Sequence, residues 1–386
     1  MRRHFLLKAS ASFASIMFSG LFLAGPAHAQ SAPPLNIGLL LSLSGPAAPF
    51  GIPERDAVQA VAAKINAEGG VGGRQIVLSI YDDGTNPTEA ARGATQLIQK
   101  DKVVAIIGST TGSGTLAAAP VAMRNEVPIL APNGTLSVTS KDNKFYPWVF
   151  RSLTGDLTNT DVLVKRAAEA GAKRIGIFYQ EDAYGKNTAD YMQEVAKRYG
   201  LEIAGVAAAP LNSTDLSPQA ARIRNANPDA VLVQASAPAL GAAFVRAAKQ
   251  IDMKAQLWAP VGLGQRAFID ASGAAGNGVK LVVLANWDDP IPQLVPLGTL
   301  LKAAGKSPQG FGELIGANAI LAIVEAAKKV RGEITGKALR DQLEVLCGLE
   351  SYTAGKACYS ADNHDGWSAD FLTTVEIRDG KFITLK

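Results

Sequence analysis

The sequence predicts an α/β protein in two lobes, each a mostly parallel sheet with helices on both faces. Two observations lead there. From Leu35 onward, short apolar runs alternate with longer segments of helical period, and this alternation starts afresh after Phe150-Arg151. A helix between successive strands makes their pairing parallel and buries each sheet on both sides. Length agrees: once a leader is removed, about 355 residues remain, more than one core organises well, so two domains of roughly 150–180 residues are expected.

In the first half, Leu35-Asn36-Ile37-Gly38-Leu39-Leu40-Leu41 is a buried strand ending at a Ser44-Gly45-Pro46 turn. A helix over Ile52 to Ala67 stops at Glu68-Gly69-Gly70, where glycine accepts the left-handed cap. Strands follow at Gln75 to Tyr81, Val103 to Ile107 and Val127 to Leu130, with helices over Thr88 to Gln99 and Ser113 to Arg124. The second half repeats the grammar. Helices over Asp156 to Ala170, Tyr184 to Tyr199, Leu216 to Asn225 and Ala239 to Lys249 alternate with strands at Arg174 to Phe178, Glu202 to Ala207, Ala230 to Val233 and Gln256 to Trp258. A strand at Val279 to Leu284 comes next, then helices over Pro292 to Ala304, Phe311 to Val330 and Thr335 to Leu346. Two final strands, Phe371 to Ile377 and Lys381 to Leu385, flank Asp379-Gly380, a hairpin signal.

Arg2, Arg3 and Lys8 precede an apolar stretch from Ala9 to Gly25, and Ala27-His28-Ala29 follows. That is the layout of a cleaved signal peptide over residues 1–29, so the mature chain is expected to be exported and to begin near Gln30, in the periplasm if the resemblance given below holds. Arg2-Arg3 leaves the twin-arginine route open. No cysteine stands directly after the cleavage site and no second long apolar run exists, so the mature protein is expected to be soluble, neither lipid-anchored nor membrane-embedded. The leader carries three of the 38 Lys and Arg and none of the 34 Asp and Glu, leaving a formal charge of 35 − 34 = +1. With its basic residues scattered, the mature chain has no electrostatic case for nucleic acid.

His4 and His28 fall in the leader, so His364 is the only mature histidine. A zinc site needs more ligands than that, and neither HExxH nor a CxxC pair is present. The GxSxG elbow is missing too, and Asp82-Asp83 reads as a solvated strand end, because adjacent strand residues face opposite ways. No catalytic residue, metal site or cofactor is predicted. Cys347 and Cys358, with ten residues between them, are read as a disulfide closing a C-terminal loop, the alternative being two buried thiols.

These segments resemble the periplasmic substrate-binding proteins of ABC transporters, in the branched-chain amino acid (Leu/Ile/Val)-binding family with the type I fold. The resemblance rests on Ile37-Gly38 through Leu43-Ser44-Gly45-Pro46, on Ile65-Asn66-Ala67-Glu68-Gly69-Gly70-Val71-Gly72-Gly73-Arg74, and on Tyr81-Asp82-Asp83. Val104-Ala105-Ile106-Ile107-Gly108, Pro128 to Pro132, Phe150-Arg151, Tyr184-Gly185 and Tyr359 to Gly366 continue it in order. It implies two Rossmann-like lobes joined by a three-segment hinge, with crossings near Phe150 to Asp156, Leu284 to Asp288 and Ser360 to Gly366. Lobe 1 is then expected over 35–152 plus 287–361, and lobe 2 over 153–286 plus 362–386. The partners implied are a small-molecule ligand and an ABC transporter permease, met by a monomer that closes like a Venus flytrap.

The binding logic can also be built from the residues. The strand ending at Gly108 enters Ser109-Thr110-Thr111-Gly112-Ser113-Gly114-Thr115 before a helix of small residues. Free N–H groups and hydroxyls at that helix start, with Thr111, Gly112 and Ser113 foremost, suit an anion such as a carboxylate. A phosphate loop fits poorly, since the P-loop lysine is missing. Asn133-Gly134-Thr135 follows the next strand, and strand carboxyl ends share one crevice in such sheets. The resemblance puts Asn133 and Thr135 where backbone and hydroxyl hold the ligand head group, Phe50 where an aromatic lines the pocket, and Tyr184 where an aromatic closes from the second lobe. It makes Asp156 a hinge-side polar contact, with a helix N-cap as the alternative.

Two departures narrow the ligand. Val261 stands where amino acid receptors place an acid for the ligand ammonium, and Ser236 replaces an aromatic. A buried ammonium without a carboxylate would be badly desolvated. An amide, or an organic acid that is aromatic or branched aliphatic and lacks the α-ammonium, is therefore expected. A shift in alignment would instead bring Asp252, Glu181 or Asp182 into that place and restore an amino acid receptor. An enzyme on the same fold, or a ligand-sensing protein serving a membrane receptor, are the rival readings.

Overall fold

The computed structural model describes Met1 and residues 33–385; the signal peptide expected over 1–29 lies outside the described residues apart from Met1. The first layer contains β1 (Leu35–Leu41), α1 (Ala48–Ala67), β2 (Ile76–Asp82), α2 (Pro87–Gln99), β3 (Ala105–Gly108), α3 (Gly112–Arg124), β4 (Ile129–Ala131) and β5 (Val149–Arg151). Its sheet has the order β2-β1-β3-β4-β5 and is parallel throughout. The chain then builds α4 (Asp156–Glu169), β6 (Arg174–Gln180), α5 (Ala183–Arg198), β7 (Glu202–Ala209), α6 (Ser217–Asn225), β8 (Ala230–Gln234), α7 (Pro238–Gln250), β9 (Gln256–Ala259), α8 (Arg266–Ser272) and β10 (Lys280–Val283). It returns through α9 (Val295–Ala303), α10 (Gly312–Lys329), α11 (Gly336–Leu343), β11 (Cys347–Glu350) and β12 (Lys356–Cys358), and ends with β13 (Thr373–Arg378) and β14 (Lys381–Thr384). The second sheet has the order β14-β13-β10-β9-β8-β6-β7, parallel except for the last hairpin.

Continuous apolar strands follow from burial on both faces. Leu35, Ile37, Leu39 and Leu41 of β1 face one core cluster and Leu40 another. The same division splits Ala230 and Leu232 of β8 from Val231 and Val233. Helices α2 and α3 supply the partners of Leu40, while α1 and α10 pack together on the other side. The hairpin expected at Asp379-Gly380 forms, with both residues at positive φ, as a two-residue turn of the type that matches strand twist demands.

Three elements escaped the sequence reading: β5, α8 and the β11-β12 ladder. Each is short, and β5 follows a turn of 3₁₀ helix that hides its period. Helix α1 also begins four residues earlier than expected, ahead of Pro53. Asp83 is a correction. It is 1% exposed, and its carboxylate accepts hydrogen bonds from the hydroxyls of Ser42 and Ser109, each at 2.6 Å, and from the Thr85 N–H. Those donors replace water, whereas Asp82 remains the solvated member of the pair.

Cys347 and Cys358 form the expected disulfide, directly opposite each other across the β11-β12 ladder. Closing a loop of this length removes chain entropy from the unfolded state. Cys347→Ser with Cys358→Ser is expected to lower stability by about 2–3 kcal/mol, read as the shift in a denaturant midpoint.

Candidate functional site

A cavity of about 350 Å³ lies between the carboxyl ends of β1, β3 and β4 on one side and of β6, β8 and β9 on the other. All eleven residues singled out in the sequence border it. Phe50, Thr111, Gly112, Ser113, Asn133, Gly134 and Thr135 come from the first layer, and Asp156, Tyr184, Ser236 and Val261 from the second. Strand carboxyl ends gather loops that are far apart in the chain, which is why one crevice collects them.

The first layer supplies donors. Thr111 caps α3, its hydroxyl accepting the Gly114 N–H at 3.2 Å. Among the described residues, the N–H groups of Gly112, Ser113, Gly134 and Thr135 have no acceptor within the protein, nor does the Thr135 hydroxyl have a partner. Close approach is built in: a Cβ on Gly112 would collide with the Thr135 side chain, and one on Gly134 with the Asp156 carboxyl. The Asn133 side chain turns away from this task. Its Nδ2 donates to the Ser109 carbonyl and to Thr115 Oγ1, both at 3.0 Å, bracing the two loops against each other.

Asp156 is not a helix cap. Gly155 takes that position, and Asp156 begins α4 with its N–H donating to the Gly134 carbonyl at 2.9 Å. Its carboxyl, 7% exposed, has no hydrogen-bond partner among the described residues. Burial pushes it up to about 7, with Arg151 opposing the shift. Ser236 is held by Gln180, whose Oε1 accepts the Ser236 N–H at 2.8 Å and whose Nε2 donates to Ser236 Oγ at 3.1 Å.

Val261 borders the cavity as an apolar contact. Of the acids that an alignment shift would bring there, Asp252 pairs with Lys254 on the surface and Glu181 lies outside the lining; Asp182 does border it. Both Asp182 oxygens are engaged, Oδ1 by the Gly185 N–H at 2.8 Å and Oδ2 by Gln180 Nε2 at 2.6 Å. Sequence reasoning missed Gln180, Gln234, Glu54 and Phe311. The glutamines each end a buried apolar strand at its carboxyl end, a signal that was legible. Phe311 arrives from a remote segment and meets Phe50 ring to ring at 5.6 Å, which no local pattern announces. Beneath the Thr110 to Ser113 turn, Glu54 is fully buried, one oxygen accepting the Thr110 hydroxyl at 2.8 Å and the other without a partner. Desolvation pushes its carboxyl up to about 8, against the Thr110 bond and with help from Asp83 and Glu313.

Two α/β layers crossed three times by the chain, around a crevice at the strand ends, define a type I binding-protein fold. A family model described as periplasmic binding protein matches residues 34–381. The leucine-, isoleucine-, valine-, threonine- and alanine-binding protein of Pseudomonas aeruginosa is 26% identical, over 84% of this chain and 87% of its own. Among solved structures, an extracellular ligand-binding receptor from Rhodopseudomonas palustris HaA2 superposes with a TM-score of 0.82 at 23% identity, covering 91% of this chain and 99% of that one. A solute-binding protein of an R. palustris ABC transporter, solved in complex with benzoate, gives 0.78 at 22% identity, covering 91% and 95%. The chain belongs to the periplasmic binding protein family. None of its described helices is long and apolar enough to cross a membrane.

Proposed function

We propose that this protein works in the periplasm as a monomeric receptor that closes over a small carboxylate- or amide-bearing solute lacking an α-ammonium and delivers it to an ABC importer permease. The lobes that close are 35–152 plus 287–361 and 153–286 plus 362–386. One observation carries the reading: the N–H groups of Gly112, Ser113, Gly134 and Thr135, with the Thr135 hydroxyl, border one cavity and none is used by the protein itself. Donors that the protein leaves unused are available to a ligand, and converging N–H groups favour an anion. Beyond them the wall turns apolar at Phe50, Phe311, Leu116, Leu153 and Val261, suited to a ring or branched chain. The benzoate complex of the R. palustris protein, a carboxylate without an ammonium, supports the same chemistry.

A second reading has its own observation. The unpartnered Asp156 carboxyl could receive a ligand ammonium, which would draw it into its charged form. The amino acids named for the P. aeruginosa relative fit that arrangement. Melting the mature protein with leucine against 4-methylpentanoate, and with benzoate against benzamide, separates the two, because a ligand of the folded state raises stability by about 2.7 kcal/mol at a hundredfold excess over Kd. Stabilisation by the acids and not by leucine is expected; a larger shift with leucine establishes the second reading instead. With the strongest probe, Thr135→Ala is expected to weaken binding by about 1–3 kcal/mol in calorimetry, and unchanged affinity would remove Thr135 from the site.

A further inference from the structure

Arg151 ends β5, where the chain first leaves the five-stranded sheet, and is 1% exposed without bordering the cavity. Its guanidinium reaches three groups of partners. Nη1 donates to the Asn133 carbonyl at 2.6 Å, Nη2 to the Thr135 carbonyl at 3.1 Å and to Thr139 Oγ1 at 2.7 Å, and Nε to Asp365 Oδ1 at 2.6 Å. Thr139 donates to the same Asp365 oxygen, also at 2.6 Å. The main chain of Arg151 is bound to the third crossing as well. Its N–H donates to the His364 carbonyl, and its own carbonyl accepts the Tyr359 hydroxyl and the Trp367 indole N–H.

A planar trans peptide points its carbonyl and the following N–H in opposite directions. Holding the Asn133 carbonyl on the side of Arg151, away from the cavity, turns the Gly134 N–H toward the cavity that Gly134 borders. The bond to the Thr135 carbonyl holds the Thr135–Leu136 peptide that follows the loop's donors. Only a fork of several fixed donors grips two carbonyls, a hydroxyl and a carboxylate together; an ammonium at the tip of a flexible chain does not.

We propose that Arg151 is a positioning residue for ligand binding: it aims the Gly134 amide at the ligand through the Asn133 carbonyl, pins the far side of the loop through the Thr135 carbonyl and, through Asp365, makes this loop and the third crossing move as one body. The proposal deepens the carboxylate reading and rests on it for its effect on affinity. Its effect on the loop is independent of any ligand, so two measurements are paired.

Hydrogen exchange of ligand-free protein comes first, comparing wild type with Arg151→Met, Arg151→Lys and Asp365→Asn. Peptides covering 132–140 are expected to exchange at least about tenfold faster in Arg151→Met, with lysine restoring only part of the protection and β1 and β8 unaffected. Titration with benzoate and benzamide comes second, with benzoate binding expected to fall at least about twentyfold in Arg151→Met and benzamide binding far less. Should Arg151→Met fail to fold, Asp365→Asn keeps the guanidinium and is expected to show both effects in milder form. Wild type binding neither probe would defeat the carboxylate reading, while exchange still decides the role of Arg151. Unchanged exchange over 132–140, or loss of protection spread evenly through the protein with equal weakening of acid and amide, overturns the proposal.

Discussion

Gly112→Val is expected to abolish ligand binding while the protein remains folded. Gly112 opens α3, and a side chain there would occupy the space of the Thr135 side chain across the cavity wall. Valine adds two further carbons, so Thr135 and the loop behind it must retreat, separating the two pairs of unused N–H groups proposed above to hold one anion. The fold tolerates this. The Thr111 cap survives, and a β-branched residue in the first helical turn costs only some tenths of a kcal/mol. Affinity should fall at least about a hundredfold, near 2.7 kcal/mol, with a circular dichroism spectrum like that of wild type. Gly112→Ala should lie between. Affinity within about threefold of wild type in the valine variant would mean that the ligand sits elsewhere.

Glu54→Gln is expected to change how stability depends on pH. Burial holds the Glu54 carboxyl at about 8 in the folded protein, against an ordinary value of 4.5. A raised carboxyl binds its proton more tightly when folded. Its contribution is therefore fully present below about pH 4.5 and is lost as pH rises through the folded value of about 8, at roughly 1.4 kcal/mol per pH unit. Asp156 and Glu313, each pushed up to about 7 by burial, act with the same sign, so wild type should lose stability between pH 5 and 8. Glutamine imitates the protonated acid and cannot ionise. The variant should match wild type near pH 5 and exceed it by roughly 4 kcal/mol at pH 9, measured by urea unfolding. Parallel curves for the two proteins would show that Glu54 stays ionised throughout.

The element order was legible because a strand buried on both faces must be apolar throughout, as in β1 and β8, and because helices between strands leave a characteristic period. Glycines marked the cavity wall for the same kind of reason: Gly112 and Gly134 stand where backbone meets another chain segment. Asp83 misled because burial depends on Ser42 and Ser109, which lie 41 and 26 residues away. For Asn133, the neighbours that claim its side chain, Ser109 and Thr115, were equally invisible in its local pattern.

Hydrophobic period, turn chemistry and the types of residue at strand ends are local properties, and by themselves they determined two parallel layers, the final hairpin and the loops that meet at the crevice. Tertiary structure alone decided which donors stay free, which acids are buried and which remote side chains, such as Phe311 and Arg151, complete the wall and its support. The division has a physical cause: propensity acts over a few residues, whereas desolvation and hydrogen-bond satisfaction are settled by whatever the fold brings within a few ångströms.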